Sequence, residues 1–218
     1  MSKKYILKDI EQLKQANEFL KTILADIDTY KKERCTSYPV GLPSRLSFTD
    51  EYQVNYNEMC ISILEYFAEK LGDNEELTIG KYLRVWLDMC ETRIRIGISL
   101  NNEVQSKLYD EVFGSWSTIY TWFEKNALPL ISLITGRYVN FENILSFFEN
   151  IGYEDGWNKD RHLSYSKETY IKDAVRAKEY IDNLFKLAAA DEIAADVDEV
   201  LDLYFSKVFK YNKEDDWY

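Results

Sequence analysis

Residues 4–27 read KYILKDIEQLKQANEFLKTILADI. Apolar residues recur here at steps of 4, 3, 7, 4 and 3 residues, at Ile6, Ile10, Leu13, Leu20, Leu24 and Ile27. This spacing lines one face of an α-helix, so residues 1–30 are predicted to form an N-terminal amphipathic helix. Similar spacing elsewhere, with only 8 Gly and 3 Pro in 218 residues, predicts an all-α fold. We expect a single-domain bundle of about seven to nine helices, with long N-terminal and C-terminal helices.

Asn17 fills the one slot of this apolar seam that lacks a hydrophobic side chain. An Asn at a core position can set the register of a coiled coil. One hypothesis is therefore a structural homo-oligomer, such as a homodimer, in which Asn17 fixes the register. The other hypothesis, a bundle helix whose Asn17 finds a partner or water, is favoured because apolar stripes on bundle helices are common.

The rest of the chain is divided by composition. We expect a Pro-containing linker, a helical core, an aromatic polar loop and C-terminal helices at residues 31–49, 50–151, 152–165 and 166–218, respectively. Pro39 and Pro43 forbid a continuous helix in the linker. Together these segments predict a single all-α domain over residues 1–218.

Two stretches depart from a regular helical pattern. Residues 93–100 alternate strictly between polar and apolar, which is typical of a strand, but no convincing partner strand is evident. We therefore expect the helix that opens at Thr78 to run to about Ile96, with a loop from Gly97 to Asn101. In the C-terminal region the apolar stripe of Ile171, Val175, Ile181, Leu184 and Phe185 gives way to one about 150° around the helix. This shift predicts a break or kink between Ala188 and Asp191.

The net charge is −11, from 38 acidic and 27 basic residues. This balance argues against direct binding to nucleic acid or anionic membranes, because both attract cationic surfaces. The densest acidic cluster spans residues 191–202, and its members Asp191, Asp198 and Asp202 share a helix face. We predict a non-enzymatic protein-binding module with this face as an interface. In its most specific form it is a phage- or bacterium-encoded inhibitor of a nucleic-acid-binding enzyme.

The loop at residues 152–165 carries a second set of candidate interaction residues, Trp157, Arg161, His162 and Tyr165. Trp, Tyr and Arg dominate binding hot spots, and loops often carry function. The alternative is a loop pinned to the body of the protein by its own aromatic side chains.

No catalytic, cofactor-binding or metal site is predicted. His162 is the only histidine, and Cys35, Cys60 and Cys90 lie too far apart for a Cys-x-x-Cys motif. Glycine-rich phosphate loops are absent, and no motif of a known family is present. A carboxylate- and Mg²⁺-dependent enzyme is the remaining alternative, with ligands either from Asp191, Asp198 and Asp202 or from Asp155, Asn158 and Asp160. The cysteine usage, with no signal peptide and no long apolar segment, predicts a cytoplasmic location.

Overall fold

The computed structural model describes residues 2–25, 51–90, 93–136 and 167–214. The first helices are α1 (Lys3–Ala25) and α2 (Glu51–Leu71), followed by strands β1 (Thr78–Ile79), β2 (Leu83–Cys90) and β3 (Arg93–Leu100). Helices α3 (Asn102–Leu108), α4 (Trp116–Trp122) and α5 (Leu128–Thr135) come next, and α6 (Lys167–Ala188) and α7 (Asp191–Glu214) follow. One π-helical turn, Tyr109–Phe113, continues α3, and another, Phe123–Ala127, joins α4 to α5.

The described chain is mostly helical, but the all-α prediction is wrong in one region. Residues predicted to be a helix to about Ile96 and a loop to Asn101 instead belong to a three-stranded sheet of order β1-β2-β3. Strand β1 is antiparallel to β2, with Thr78 opposite Arg84 and Ile79 opposite Leu83. The alternation in β3 was therefore a true strand signal, with Ile94, Ile96, Ile98 and Leu100 buried.

The partner strand β2 escaped sequence analysis because of Trp86. Leu83, Val85 and Leu87 are buried and alternate as a half-buried strand requires. Trp86 lies between them in sequence and adds an apolar side chain at a position where alternation would place a polar one. The pattern of Leu83, Trp86 and Leu87 then imitates the three- and four-residue spacing of a helix.

Contacts divide the chain into two compact units. The first comprises Met1–Glu75, Asp88–Arg95 and Ser146–Ile181, and the second Glu76–Leu87, Ile96–Leu145 and Asp182–Tyr218. The boundary between them falls within β2, β3 and α6.

In the first unit, α1 packs against α2. The predicted seam is the buried face of α1, with Ile6, Ile10, Leu13 and Leu20 all within the core. The facing core of α2 includes Ile63, Leu64 and Phe67. Burial of each such side chain stabilises the fold by about 1.5–3 kcal/mol, which explains why the apolar seam of α1 lies in the core.

In the second unit, the helical stretch that begins with α3 ends at Gly114. This residue has φ +58°, a left-handed conformation that ends the first π-helical turn. Leu128 and Pro129 do not interrupt the helix, because the π-helical turn Phe123–Ala127 leads directly into α5 and Leu128 keeps a right-handed helical conformation, φ −59° and ψ −40°. No helix in the described ranges is both long and apolar enough to cross a bilayer.

The predicted break between Ala188 and Asp191 is confirmed, since α6 ends at Ala188 and α7 begins at Asp191. The predicted inner face of α6 is only partly right. Ile171 and Val175 are 55% and 51% exposed, whereas the small Ala174 and Ala177 are buried together with Ile181 and Leu184. Tyr170 is buried as well, so the buried stripe of α6 runs through Tyr170, Ala174, Ala177, Ile181 and Leu184.

Candidate functional site

Helix α7 carries the acidic cluster that the sequence singles out, and its opposite side is firmly buried. Ile193, Val197, Leu201 and Phe205 follow one another at steps of four residues and all lie in the core. This stripe fixes the rotation of the helix, so the positions of its acidic residues follow from the spacing.

The carboxylate of Asp198 binds the turn between β1 and β2. The backbone N–H of Lys81 donates to both Oδ1 and Oδ2 of Asp198, at 3.0 Å each. Gly80 precedes it with φ +57°, and a Cβ at this residue would lie 2.5 Å from Oδ1 of Asp198. Glycine is therefore required here both by the backbone conformation and by the approach of the carboxylate.

Asp202, one helical turn further along α7, accepts two side-chain hydrogen bonds. Nζ of Lys81 lies 2.6 Å from its Oδ2, and the Tyr82 hydroxyl donates to its Oδ1. These hydrogen bonds, first that from Lys81 and then that from Tyr82, hold the pKa of Asp202 below its ordinary value. The same contact with Asp202 raises the pKa of Lys81. Burial is the main cause of the raised pKa of Tyr82, and its hydrogen bond to Asp202 adds to it.

Asn101 completes this arrangement from the start of α3. Its side-chain amide donates to the Lys81 carbonyl at 2.8 Å, and its backbone N–H donates to the Tyr82 carbonyl at 2.8 Å. Its Oδ1 accepts from the N–H of Val104 and so caps α3. We call the set of Lys81, Tyr82, Asn101, Asp198 and Asp202 the turn clamp.

The chemistry of the turn clamp is that of a structural junction. The Asp198 and Asp202 carboxylates both receive protein donors, and the ring of Tyr82 packs edge-on against Phe205 at a centroid distance of 5.0 Å. The clamp thus joins the β1–β2 turn, the start of α3 and α7. It supplies neither an activated nucleophile nor a vacant carboxylate pair.

Four further acidic residues of α7 face solvent. Glu192, Asp196 and Glu199, at steps of four and three residues, lie opposite the buried stripe, and we call them the acidic stripe. All three are exposed, as is Asp191, and none of the four side chains forms a hydrogen bond or ion pair with another residue in the described ranges. Leu203 continues the acidic stripe by one turn and is 58% exposed.

The predicted site residues therefore separate into three groups. Asp198 and Asp202 lie together in the turn clamp, whereas Asp191 is exposed near the start of α7. Trp157, Arg161, His162 and Tyr165 lie outside the described residues, as does the Pro-containing linker.

Asn17, the predicted register residue, has partners within its own chain. It is buried, its amide donates to the Val54 carbonyl at 3.3 Å, and its Oδ1 accepts from Nδ2 of Asn57 at 2.8 Å. The bundle-helix hypothesis describes this arrangement, and nothing in the geometry of Asn17 calls for a second copy of the chain.

Sequence analysis missed Lys81, Tyr82 and Asn101 because it assigned their segment to a helix and a loop. It included the acidic stripe in the acidic cluster but singled out a neighbouring face. A helical wheel centred on Val197 and Leu201 could have found the stripe, since the face opposite a buried stripe is the most exposed.

Among the described residues, no group of three or more His, Cys, Asp or Glu side chains is placed to hold a metal ion. Comparisons with protein-family models, curated proteins and solved structures gave no match. The functional argument therefore rests on geometry and charge.

Proposed function

We propose that this protein is a non-enzymatic protein-binding module and that the acidic stripe of α7 is its interface. The single observation that carries the proposal is that the carboxylates of α7 fall into two sets, one bonded within the protein and one exposed. Asp198 and Asp202 bind protein donors, whereas Glu192, Asp196 and Glu199 are exposed without partners among the described residues. Carboxylates that are not used internally are available to a partner.

The rigidity of α7 supports this function. Its buried stripe and the turn clamp hold the helix from two sides, so that the acidic stripe is ordered before a partner arrives. A preordered surface loses less conformational entropy on binding than a flexible one. Leu203, exposed at the end of the stripe, adds an apolar contact next to the charges.

The chemistry of the stripe selects a basic partner. Glu192, Asp196 and Glu199 are four and three residues apart, or about 6 and 4.5 Å along the helix axis. These spacings are wider than the roughly 3.4 Å between phosphates along one DNA strand, so the likeness to DNA lies in the sign of the charge and not in its spacing. In the finer form of the proposal, the partner is a nucleic-acid-binding enzyme and the protein is an inhibitor encoded by a phage or bacterium.

The test is retention on columns that carry three forms of the immobilised protein. These are wild type, a stripe variant with Glu192→Gln, Asp196→Asn and Glu199→Gln, and a control variant with Asp73→Asn, Glu103→Gln and Glu179→Gln. The control also loses three carboxylate charges, but from exposed sites outside α7 that form no ion pair within the described ranges. The sample loaded on each column is the fraction of a native-host extract that binds DNA-cellulose.

We expect wild type and the control variant to retain the same nucleic-acid-binding protein, and the stripe variant to lose it. Retention should fall with added NaCl, because salt screens charge pairing between exposed groups. Equal retention by all three columns would remove the acidic stripe as the interface, and retention of no protein from this fraction would reject the inhibitor form.

A further inference from the structure

A groove of about 350 Å³ lies on the second unit and shares no lining residue with the acidic stripe or the turn clamp. Residues of α4 and of both π-helical turns line it, among them Phe113, Trp122 and Lys125. A π-helical turn widens a helix locally and frequently marks a functional site. The volume of the groove is within the range of small-ligand sites, about 300–1,000 Å³.

One wall of the groove is aromatic and fixed in place. The ring of Trp122 has Phe113, Phe205 and Tyr204 as neighbours, with centroid distances of 5.9, 6.0 and 6.3 Å. These three rings determine the orientation of the indole, and Trp122 still lines the groove. A fixed aromatic surface of this kind suits a flat ring, stacked with an offset or placed edge-on.

The groove also carries a positive charge. The side chain of Lys125 is exposed and forms no hydrogen bond or ion pair with any other residue of the described ranges. Thr118 and Thr121 add hydroxyl groups along the same wall. A lysine available in a chain of net charge −11 favours an anionic group on the ligand, since a charged hydrogen bond is stronger than a neutral one.

We propose that this groove binds a small ligand in which an aromatic ring is joined to an anionic group, a carboxylate or a phosphate. The ring lies against Trp122 and Phe113, and the anion contacts Lys125 with help from Thr121. This site is separate from the acidic stripe and does not depend on the proposed function.

The test is a calorimetric titration of the intact protein with three probes. 1-Naphthoate has the ring and a carboxylate, 1-naphthamide has the same ring without the charge, and 1-naphthyl phosphate carries a phosphate on the same ring in place of the carboxylate. We expect 1-naphthoate to bind at least about fivefold more tightly than 1-naphthamide, the ratio that about 1 kcal/mol of ion pairing provides. Tighter binding of 1-naphthyl phosphate than of 1-naphthoate would identify the anion as a phosphate, and the reverse order would identify a carboxylate.

Two variants locate the site. Lys125→Met should reduce the affinity for 1-naphthoate about fivefold and leave that for 1-naphthamide unchanged. Lys186→Met, at another exposed lysine of the second unit, should change neither. The proposal is overturned if neither anionic probe binds at millimolar concentration, if 1-naphthoate and 1-naphthamide bind equally, or if Lys125→Met binds 1-naphthoate as wild type does. Both variants are at exposed positions, and a thermal melt would show that each remains folded.

Discussion

At the scale of single residues, the buried polar pair of Asn17 and Asn57 shows what a sequence can and cannot reveal. The break in the apolar seam made Asn17 visible as a residue that needs a partner. Its actual partners lie 37 and 40 residues away on α2, so local spacing could not identify them. A gap in a hydrophobic stripe thus predicts a buried polar contact but does not identify the partner residue.

Replacing Asn17 with Leu should lower the free energy of unfolding by about 1–3 kcal/mol, because the amide of Asn57 loses its Asn17 acceptor in the core. Urea unfolding measures this change. The double variant Asn17→Leu/Asn57→Leu should lose less than the sum of the two single variants. Sedimentation should give the same mass for Asn17→Leu as for wild type, and a changed mass would return Asn17 to the role of register residue.

Gly80 and Gly114 form a matched pair for testing the approach of Asp198. Both have positive φ, +57° and +58°, but only at Gly80 would a Cβ meet another group, whereas Gly114 has nothing within 4 Å. Gly114→Ala should therefore cost about 1 kcal/mol for its backbone conformation alone. Gly80→Ala should cost about 1–3 kcal/mol more, because it must also displace Asp198. Equal losses in urea unfolding would show that the Asp198 carboxylate is not held against the turn.

At the scale of elements, the predictions succeeded where one buried stripe dominates and failed where two patterns overlap. The break before α7 was visible because the apolar stripes on either side point in different directions. The β2–β3 region was misassigned because Trp86 masked the alternation of β2, and a single strand without a partner was not credible. Sequence analysis also missed the turn clamp, because its donors and its carboxylates are 117 to 121 residues apart in sequence.

The ion pair in the turn clamp should give the protein a defined acid sensitivity. The pKa of Asp202 is lower in the folded chain than its ordinary value. A lowered folded pKa contributes stability above the ordinary pKa of an aspartate, about 3.9, and this contribution is lost as the pH falls through the folded pKa. Asp202→Asn should therefore be less stable than wild type near pH 6, and the difference should shrink towards pH 2–3.

Urea unfolding of both proteins between pH 2 and pH 7 checks this prediction. Added NaCl should reduce the difference near pH 6, because Lys81 and Asp202 are each about half exposed. A difference that stays constant across the pH range would mean that the charge of Asp202 does not contribute to stability.

At the scale of the whole molecule, composition indicated an acidic, mostly helical protein, and the structure assigns its acidic residues on α7 to two roles. Net charge alone does not distinguish carboxylates that hold a fold together from carboxylates that face solvent. The difference arises from the rotation of α7, which is set by Ile193, Val197, Leu201 and Phe205. Sequence analysis located the helix that carries both sets of carboxylates, but separating the two sets required knowledge of which side of the helix is buried.

The most direct test of the interface on α7 is site-specific photo-crosslinking to the partner retained on the wild-type column. A photoreactive p-benzoylphenylalanine would replace Ala195, which is exposed beside the acidic stripe, and in a control protein it would replace Asp73. We predict a cross-link to the partner from position 195 and none from position 73. A partner that is retained but cross-links from neither position, or only from 73, would contradict the assignment of the acidic stripe as the binding surface.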